Sequence, residues 1–438
     1  MLKKSIPLIR RGFSVFALIA TFWTLAAEPA SAQQTKIDAA DTAWMLIATA
    51  LVLMMTIPGL ALFYSGMVRK KNVLATMAQS LAAVALISIL WVVFGYSLTF
   101  VGDGPLLGSF ERILLGGMGM DSTNAAAKTI PEALFMLYQM TFAIITVALV
   151  AGSVADRMRF SAYLLFSTGW FAVVYVPLAH WVWGGGFLAA AGVLDFAGGT
   201  VVHLSAGTAG LVAALVLGRR RGYGMDNLSP YDLSLAVIGT GLLWVGWFGF
   251  NGGSALAANS RAVMAITSTH LAASAGALTW MAIEWATRGR PSVLGMISGA
   301  VAGLGTITPA SGFVAPWHGI VIGIIAGAIC FWASTKLKQR LRYDDSLDVF
   351  GVHGVGGATG TLLAGVFATA AIGETSGLIE GNFRQVLIQL FGVVVTLGWT
   401  ASATFVLLKV INLLTPLRVT PDEELEGLDI SQHGEALQ

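Results

Sequence analysis

Two histidines in this chain recur with the same small-residue spacing. Val202-His203 is followed by Gly207 and Gly210, and Val352-His353 by Gly357 and Gly360, so both stretches read His-x3-Gly-x2-Gly. Each lies in a long apolar run, where an ionisable side chain is expensive and functional by default. Two imidazoles brought together can share one proton, one ring donating and the other accepting. Such a pair suits a small molecule that both donates and accepts hydrogen bonds, or a travelling proton. The other histidines offer less. His180 and His318 fall at the ends of apolar runs, His270 lies inside one without an evident partner, and His433 sits near the C-terminus.

Asp195 precedes His203 by eight residues, at the start of the same run. It is placed to cap a helix, and to supply negative potential to a waiting cation. Aromatic side chains cluster nearby in the sequence, in His180-Trp-Val-Trp183-Gly and in Trp247-Phe-Gly-Phe250-Asn-Gly-Gly-Ser254. Most tryptophans of such a chain belong to an interfacial belt. A ring face beside a hydroxyl can also replace part of the water shell of a small cation.

The elements that must position these residues follow from composition. The 438 residues are 56% hydrophobic and 11% charged, with a mean hydropathy of +0.77. Soluble domains carry about 25% charged residues, so this chain must present apolar surface to lipid. Eleven apolar stretches are long enough, or nearly so, to span a bilayer: 43–67, 73–101, 131–153, 160–179, 199–218, 231–250, 262–287, 293–308, 315–335, 348–371 and 384–414. Without water in hydrocarbon their backbone groups must bond internally, which makes them helices. The eighth is short, a half-buried or tilted piece. The last is the longest and is expected to tilt across the others.

Alternate connections hold fourteen basic residues, from Arg69-Lys70-Lys71 to Lys336, Lys338, Arg340 and Arg342; the intervening ones hold four, Arg112, Lys128, Arg261 and Arg384. This bias puts the mature N-terminus outside and the C-terminus in the cytoplasm. Lys3, Lys4, Arg10 and Arg11 precede an apolar stretch from Phe13 to Ala27 and the small-x-small site Ala30-Ser31-Ala32. Residues 1–32 therefore read as a cleaved signal peptide, 33–414 as the transmembrane domain and 415–438 as a cytoplasmic tail. The two histidine stretches begin the fifth and tenth spans and run in opposite directions, which fits two inverted five-helix repeats with a site at their interface.

Several classes drop out. The basic residues lie in short clusters between apolar runs, a topology signal and not a stripe for nucleic acid. The single cysteine, Cys330, permits no disulfide within the chain. An intramembrane metalloenzyme built on His203, His353 and Asp195 has no His-Glu-x-x-His motif, and two histidines without a third near ligand make a poor zinc site. No enzyme activity, cofactor or metal is expected.

Taken together, Asp195-Phe-Ala-Gly-Gly-Thr-Val-Val-His203, Gly246-Trp-Phe-Gly-Phe-Asn251 and Asp348-Val-Phe-Gly-Val-His353-Gly-Val resemble the ammonium transporter (Amt/Mep/Rhesus) superfamily, and its bacterial Amt branch in particular. Pro58-Gly-Leu-Ala-Leu-Phe-Tyr64-Ser-Gly-Met, Tyr138-Gln-Met-Thr-Phe142-Ala, Thr308-Pro-Ala and Glu426-Gly-Leu-Asp429-Ile-Ser-Gln-His433-Gly-Glu435 extend the resemblance along the whole mature chain. It implies a homotrimer of eleven-helix subunits in the bacterial inner membrane, each with its own central hydrophobic pore. By motif, Trp183, Ser254 and Phe142 would recruit ammonium, with Asp195 in support. Phe142 and Phe250 would be the gate below, and His203 and His353 the pore histidines. The tail would couple the subunits and meet a PII-type nitrogen signal protein. Methylammonium would be an alternative substrate. Two departures stand out. Tyr138 occupies a place where members often carry Phe, and the tail ends Glu435-Ala-Leu-Gln without an aromatic.

A mechanism follows from charge. Ammonium would shed its proton near the gate and cross as ammonia, with or without relay of the proton along the histidines. Two rivals share the fold. A dedicated ammonium sensor would carry an appended signalling domain, and this tail has only about two dozen residues. A Rhesus-like gas channel would not need the Trp183 and Ser254 pair.

Overall fold

A computed structural model describes residues 36–437; the expected signal peptide lies outside them. Residues from Asp38 onward form one compact unit. All eleven apolar stretches are helical, and the described residues include no strand beyond two isolated bridges. Ten helices are long and apolar enough to cross a bilayer: α1 Ala39–Met67, α2 Lys70–Phe100, α3 Glu132–Val154, α4 Phe160–Ala190, α5 Gly199–Leu217, α6 Leu233–Gly252, α7 Ser260–Arg288, α9 Pro316–Leu341, α10 Phe350–Phe367 and α11 Phe383–Leu414. The expected eighth span is α8, Val293–Ile307. At 15 residues it reaches about 22 Å against a core of about 30 Å. It is mostly buried among its neighbours. The 32 residues of α11 reach about 48 Å, so this helix must tilt or overhang.

Short polar side chains start several helices by accepting their first amide hydrogens. Asp38 does so for α1, Asp232 for α6, Asn259 for α7 and Ser292 for α8. Small residues set how the helices pack. Gly276 of α7 and Gly303 of α8 lie backbone to backbone, the close approach that replaces hydrophobic driving force in lipid. α3 is the most enclosed helix, buried along nearly its whole length.

The decisive crossing is between α5 and α10. A Cβ on Gly357 would stand 2.7 Å from Leu204 N and 3.0 Å from His203 Cβ, and one on Gly207 would collide with the backbone of Gly354. Only glycine lets these two helices touch where the histidines sit. Both helices open with a wide π-helical turn, Gly199–Leu204 and Phe350–Gly354. Such turns cluster at functional sites. The repeat seen in the sequence is thus matched by equivalent local structure around His203 and His353.

The tryptophans divide. Trp285, Trp317, Trp332 and Trp399 are exposed on the apolar surface, as a belt requires, but Trp91, Trp170 and Trp247 are fully buried. Interior packing claims more of these rings than the belt reading allows.

The basic connections meet in a buried ionic hub. Arg220 grips Asp344 with two nitrogens, Nη2 at 2.8 Å from Oδ1 and Nε at 2.9 Å from Oδ2, and reaches Asp156 at 3.3 Å. Arg69 also bonds Asp156, at 3.2 Å. Arg157 donates to Ser346 Oγ at 2.7 Å and to the Asp344 carbonyl. The tail lies on this hub as two short helices, α12 Pro421–Glu426 and α13 Leu428–His433. Glu424 pairs with Arg418 at 2.7 Å and accepts from Arg221 N. Asp429 accepts from Ala75 N at 2.8 Å, and Leu428 N donates to Asn72 Oδ1 at 2.8 Å. The tail is therefore docked on its own chain.

Burial raises the Asp344 carboxyl, but hydrogen bonds and charge from Arg220, aided by Arg157, outweigh it and hold the group below its usual range. A carboxyl depressed in the folded state stabilises above its unfolded value, near 3.8, and that stability is lost as pH falls through the folded value. Asp344→Asn leaves Arg220 partly unpaired and should cost about 3–5 kcal/mol. Thermal unfolding should show this deficit constant from about pH 8 to pH 5, shrinking only below about pH 4. A deficit that already vanishes near neutral pH would contradict this account.

Candidate substrate path

The site is built at the interface of the two repeats. His203 Nδ1 and His353 Nδ1 lie 3.2 Å apart, in hydrogen-bond contact. The rings are nearly parallel, 15° between planes. Since Nδ1 faces Nδ1, one ring donates and the other accepts, so the contact holds a single proton. Both side chains are buried. His203 Nε2 has no hydrogen-bond partner among the described residues.

A narrow conduit of about 10 Å³ runs past the pair, lined by His203, His353, Phe250, Trp247, Ile145 and Val202 among others. That is about the space one water needs, and a water also needs two or more polar partners. Apart from the two imidazoles, the walls are almost entirely apolar. His353 also borders a cavity of about 250 Å³ that contains Glu284, Ser334 and Asp348. His353 thus borders both spaces, the small one beside His203 and the larger one toward the basic end.

At the charge-poor end lies a second cavity, of about 240 Å³, lined by Trp183, Phe142, Ser254, Phe196, Gln139 and Phe100 among others. Between it and the conduit, the rings of Phe142 and Phe250 stack with centroids 4.2 Å apart and 26° between planes. Phe142 lines the cavity, and Phe250 lines the conduit. The Trp183 ring stands edge-on to Phe142 at 5.8 Å. Ser254 Oγ donates to the Phe250 carbonyl at 2.8 Å, which leaves its lone pairs as the free acceptor.

Asp195 does not line that cavity. Its Oδ1 accepts from Gly198 N at 2.8 Å and Gly199 N at 2.6 Å. Its Oδ2 accepts from Thr200 N at 2.8 Å, from the Thr200 hydroxyl and from Val201 N at 3.3 Å. The carboxylate thus caps the wide turn that carries His203. The Asp195 carbonyl accepts Trp183 Nε1 at 2.8 Å and so fixes that ring as well. The sequence-derived site is brought together as one path, with Asp195 behind its wall.

Two supporting roles escape sequence reasoning. Trp247 is buried and stacks on His203 at 5.5 Å with 20° between planes, while its Nε1 donates to Thr308 Oγ1 at 2.9 Å. Thr308 lies in the Thr-Pro-Ala motif, which was the available signal. Gln389, far off on α11, holds the Asp195 loop by accepting Leu194 N and donating to Leu194 O, both at 2.7 Å. Nothing in its own stretch marks it. His270 has a partner after all: Trp244 Nε1 donates to its Nδ1 at 3.2 Å on an exposed face away from the path.

The model of the Ammonium Transporter Family matches residues 43–437. The ammonium transporter of Bacillus subtilis is 48% identical over 397 residues, 90% of this chain and 97% of the relative. That of Aquifex aeolicus is 49% identical over 408 residues, 93% and 95% of the two chains. The crystal structure of Saccharomyces cerevisiae Mep2 superposes with a TM-score of 0.82 at 39% identity, covering 89% of each chain.

Asp195→Ala strips a shared acceptor from the amides of four consecutive residues. Purified protein should lose roughly 2–4 kcal/mol, read as a lower unfolding temperature in detergent. Asp195→Asn, which keeps one carbonyl oxygen, should lose less; equal loss would show that the capping contacts are not what matters.

Proposed function

The chain belongs to the ammonium transporter family, and from that premise we propose how its path carries the substrate. It is a multi-pass membrane protein whose function is ammonium transport. Its relatives are transporters, not enzymes.

Ammonium docks in the charge-poor cavity, against the rings of Trp183 and Phe142 and the accepting oxygen of Ser254. Cation–π attraction and one hydrogen bond replace part of its water there. Asp195 supports this dock by holding Trp183. Phe142 and Phe250 then bar the hydrated ion. An isolated charge in an apolar interior is penalised by many kcal/mol, and potassium has nearly the same size and charge as ammonium. Only ammonium can escape the penalty by losing a proton. Ammonia passes the gate and crosses beside His203 and His353, and the shared hydrogen bond of the pair offers the proton a route to the basic end. The observation that carries this reading is the 3.2 Å imidazole contact on a conduit with room for about one water. The Ser254 and Trp183 dock favours a transporter over a Rhesus-like gas channel.

We place the basic end in the cytoplasm of a bacterial inner membrane, with the mature N-terminus outside, on the positive-inside bias. Each subunit of a homotrimer would carry one path, and methylammonium would serve as a second substrate.

Uptake by a transport-deficient host tests the path. Trp183→Leu removes a cation–π contact of about 0.5–2 kcal/mol, so KM should rise roughly two- to thirtyfold. His203→Ala should reduce the maximal rate about a hundredfold or more, the usual contribution of a positioned proton-transfer group. Purified protein in a planar bilayer should give ammonium-dependent current. Silence there, with uptake intact, would reject the relay and leave conduction of ammonia alone.

The docked tail is the natural handle for regulation, because it touches the start of α2 and the connections that follow α3 and α5. We assign it to a trimeric PII-type signal protein. Pull-down with the cognate protein at low ammonium should capture this transporter. No binding under any nucleotide condition would refute the assignment.

A further inference from the structure

A single phenol joins the two helices that carry the gate. Tyr138 lies one turn before Phe142 on α3, on the same face, and is fully buried. Its ring stands edge-on to Phe142 at 5.0 Å and 63°. Its Oη is 3.0 Å from the Gly249 carbonyl, 2.9 Å from the Phe250 carbonyl and 3.4 Å from Ser254 Oγ. Those carbonyls belong to the wide π-helical turn Phe248–Gly252 that ends α6. One side chain therefore touches the Phe142 ring, the backbone of Phe250 and the Ser254 hydroxyl.

The hydrogens can be assigned by elimination. A phenol has one hydrogen and offers lone pairs besides. The two carbonyls can only accept, so the phenol hydrogen goes to them. Ser254 also has one hydrogen. The acceptors within its reach are the Phe250 carbonyl, at 2.8 Å, and Tyr138 Oη. Both lie on the side of the wide turn, yet Ser254 lines the cavity. Whichever acceptor takes that hydrogen, what the serine shows an arriving cation is a lone pair.

We infer that Tyr138 is a positioning residue for substrate recruitment. Its hydroxyl pins the Phe250 turn against α3 and so fixes the Phe250 carbonyl that takes the Ser254 hydrogen, which keeps the Ser254 hydroxyl in its accepting orientation. The inference rests on the reading of Ser254 as a recruitment group.

Tyr138→Phe removes one oxygen and keeps the ring against Phe142, so the fold should survive. The test uses full-length protein in proteoliposomes, with uptake of radiolabelled methylammonium and an unfolding temperature for each variant. A net hydrogen bond of about 1 kcal/mol corresponds to roughly a fivefold change in affinity. Tyr138→Phe should therefore raise KM about three- to tenfold, with the maximal rate within about twofold of wild type and little change in unfolding temperature. Ser254→Ala should raise KM too, and the double variant should be no worse than Ser254→Ala alone, because the phenol acts through the serine. Additive effects would overturn that coupling. A Tyr138→Phe variant of normal KM beside an impaired Ser254→Ala would overturn the inference and leave the recruitment site standing. A normal KM in Ser254→Ala would remove the recruitment reading, and this inference with it.

Discussion

Hydrocarbon does not tolerate an unbalanced charge, and the interior of this protein is arranged around that fact. The conduit has room for about one water and apolar walls, so a hydrated ion has nothing to exchange its shell for. The polar groups that do appear there are two imidazoles, which satisfy one another at 3.2 Å. Full charges are kept to the ends. At the charge-poor end, Asp195 is buried but surrounded by donors from its own helix. At the basic end, Arg220 and Arg69 balance Asp344 and Asp156.

That arrangement needs backbones to come unusually close. Glycines at 207 and 357 let α5 and α10 touch, and the wide turns at the head of each helix aim the histidines at one another. Trp247 covers the outer face of His203 and is itself held by Thr308. Behind the path, Gln389 ties α11 to the loop that carries Asp195. A loss at any of these supports would move the imidazoles without touching them.

Much of this was legible in the sequence. The histidines announce themselves because an ionisable residue placed twice in apolar runs, with one spacing of glycines behind it, is too costly to be incidental. The basic residues alternate as topology requires. The eighth span reads as short, and α8 is short. What stays hidden depends on contacts across long sequence distances. Tyr138 looks like a minor departure from a motif until its hydroxyl meets the Phe250 turn, more than a hundred residues away. The clusters around Arg157 and Arg220 read as orientation signals, yet both side chains are buried, Arg220 in ion pairs and Arg157 in hydrogen bonds to Ser346 and the Asp344 carbonyl, and they hold the connections together. Trp91 and Trp170 read as belt residues because composition cannot tell an interior ring from an interfacial one.

The head-on meeting of the two Nδ1 atoms has a consequence for how fast a relay of this kind could turn over. A proton entering at one Nε2 and leaving from the other reverses both tautomers, so the wire ends up poled backwards. Running the same hops in reverse would only return the proton. To reset in the forward sense, the rings must part and exchange hydrogens with a mobile donor before they close again. A rigid pair would pass one proton and stall. Sustained proton flux by such a relay would thus tie each cycle to a ring opening, and would give it the dead time of a carrier.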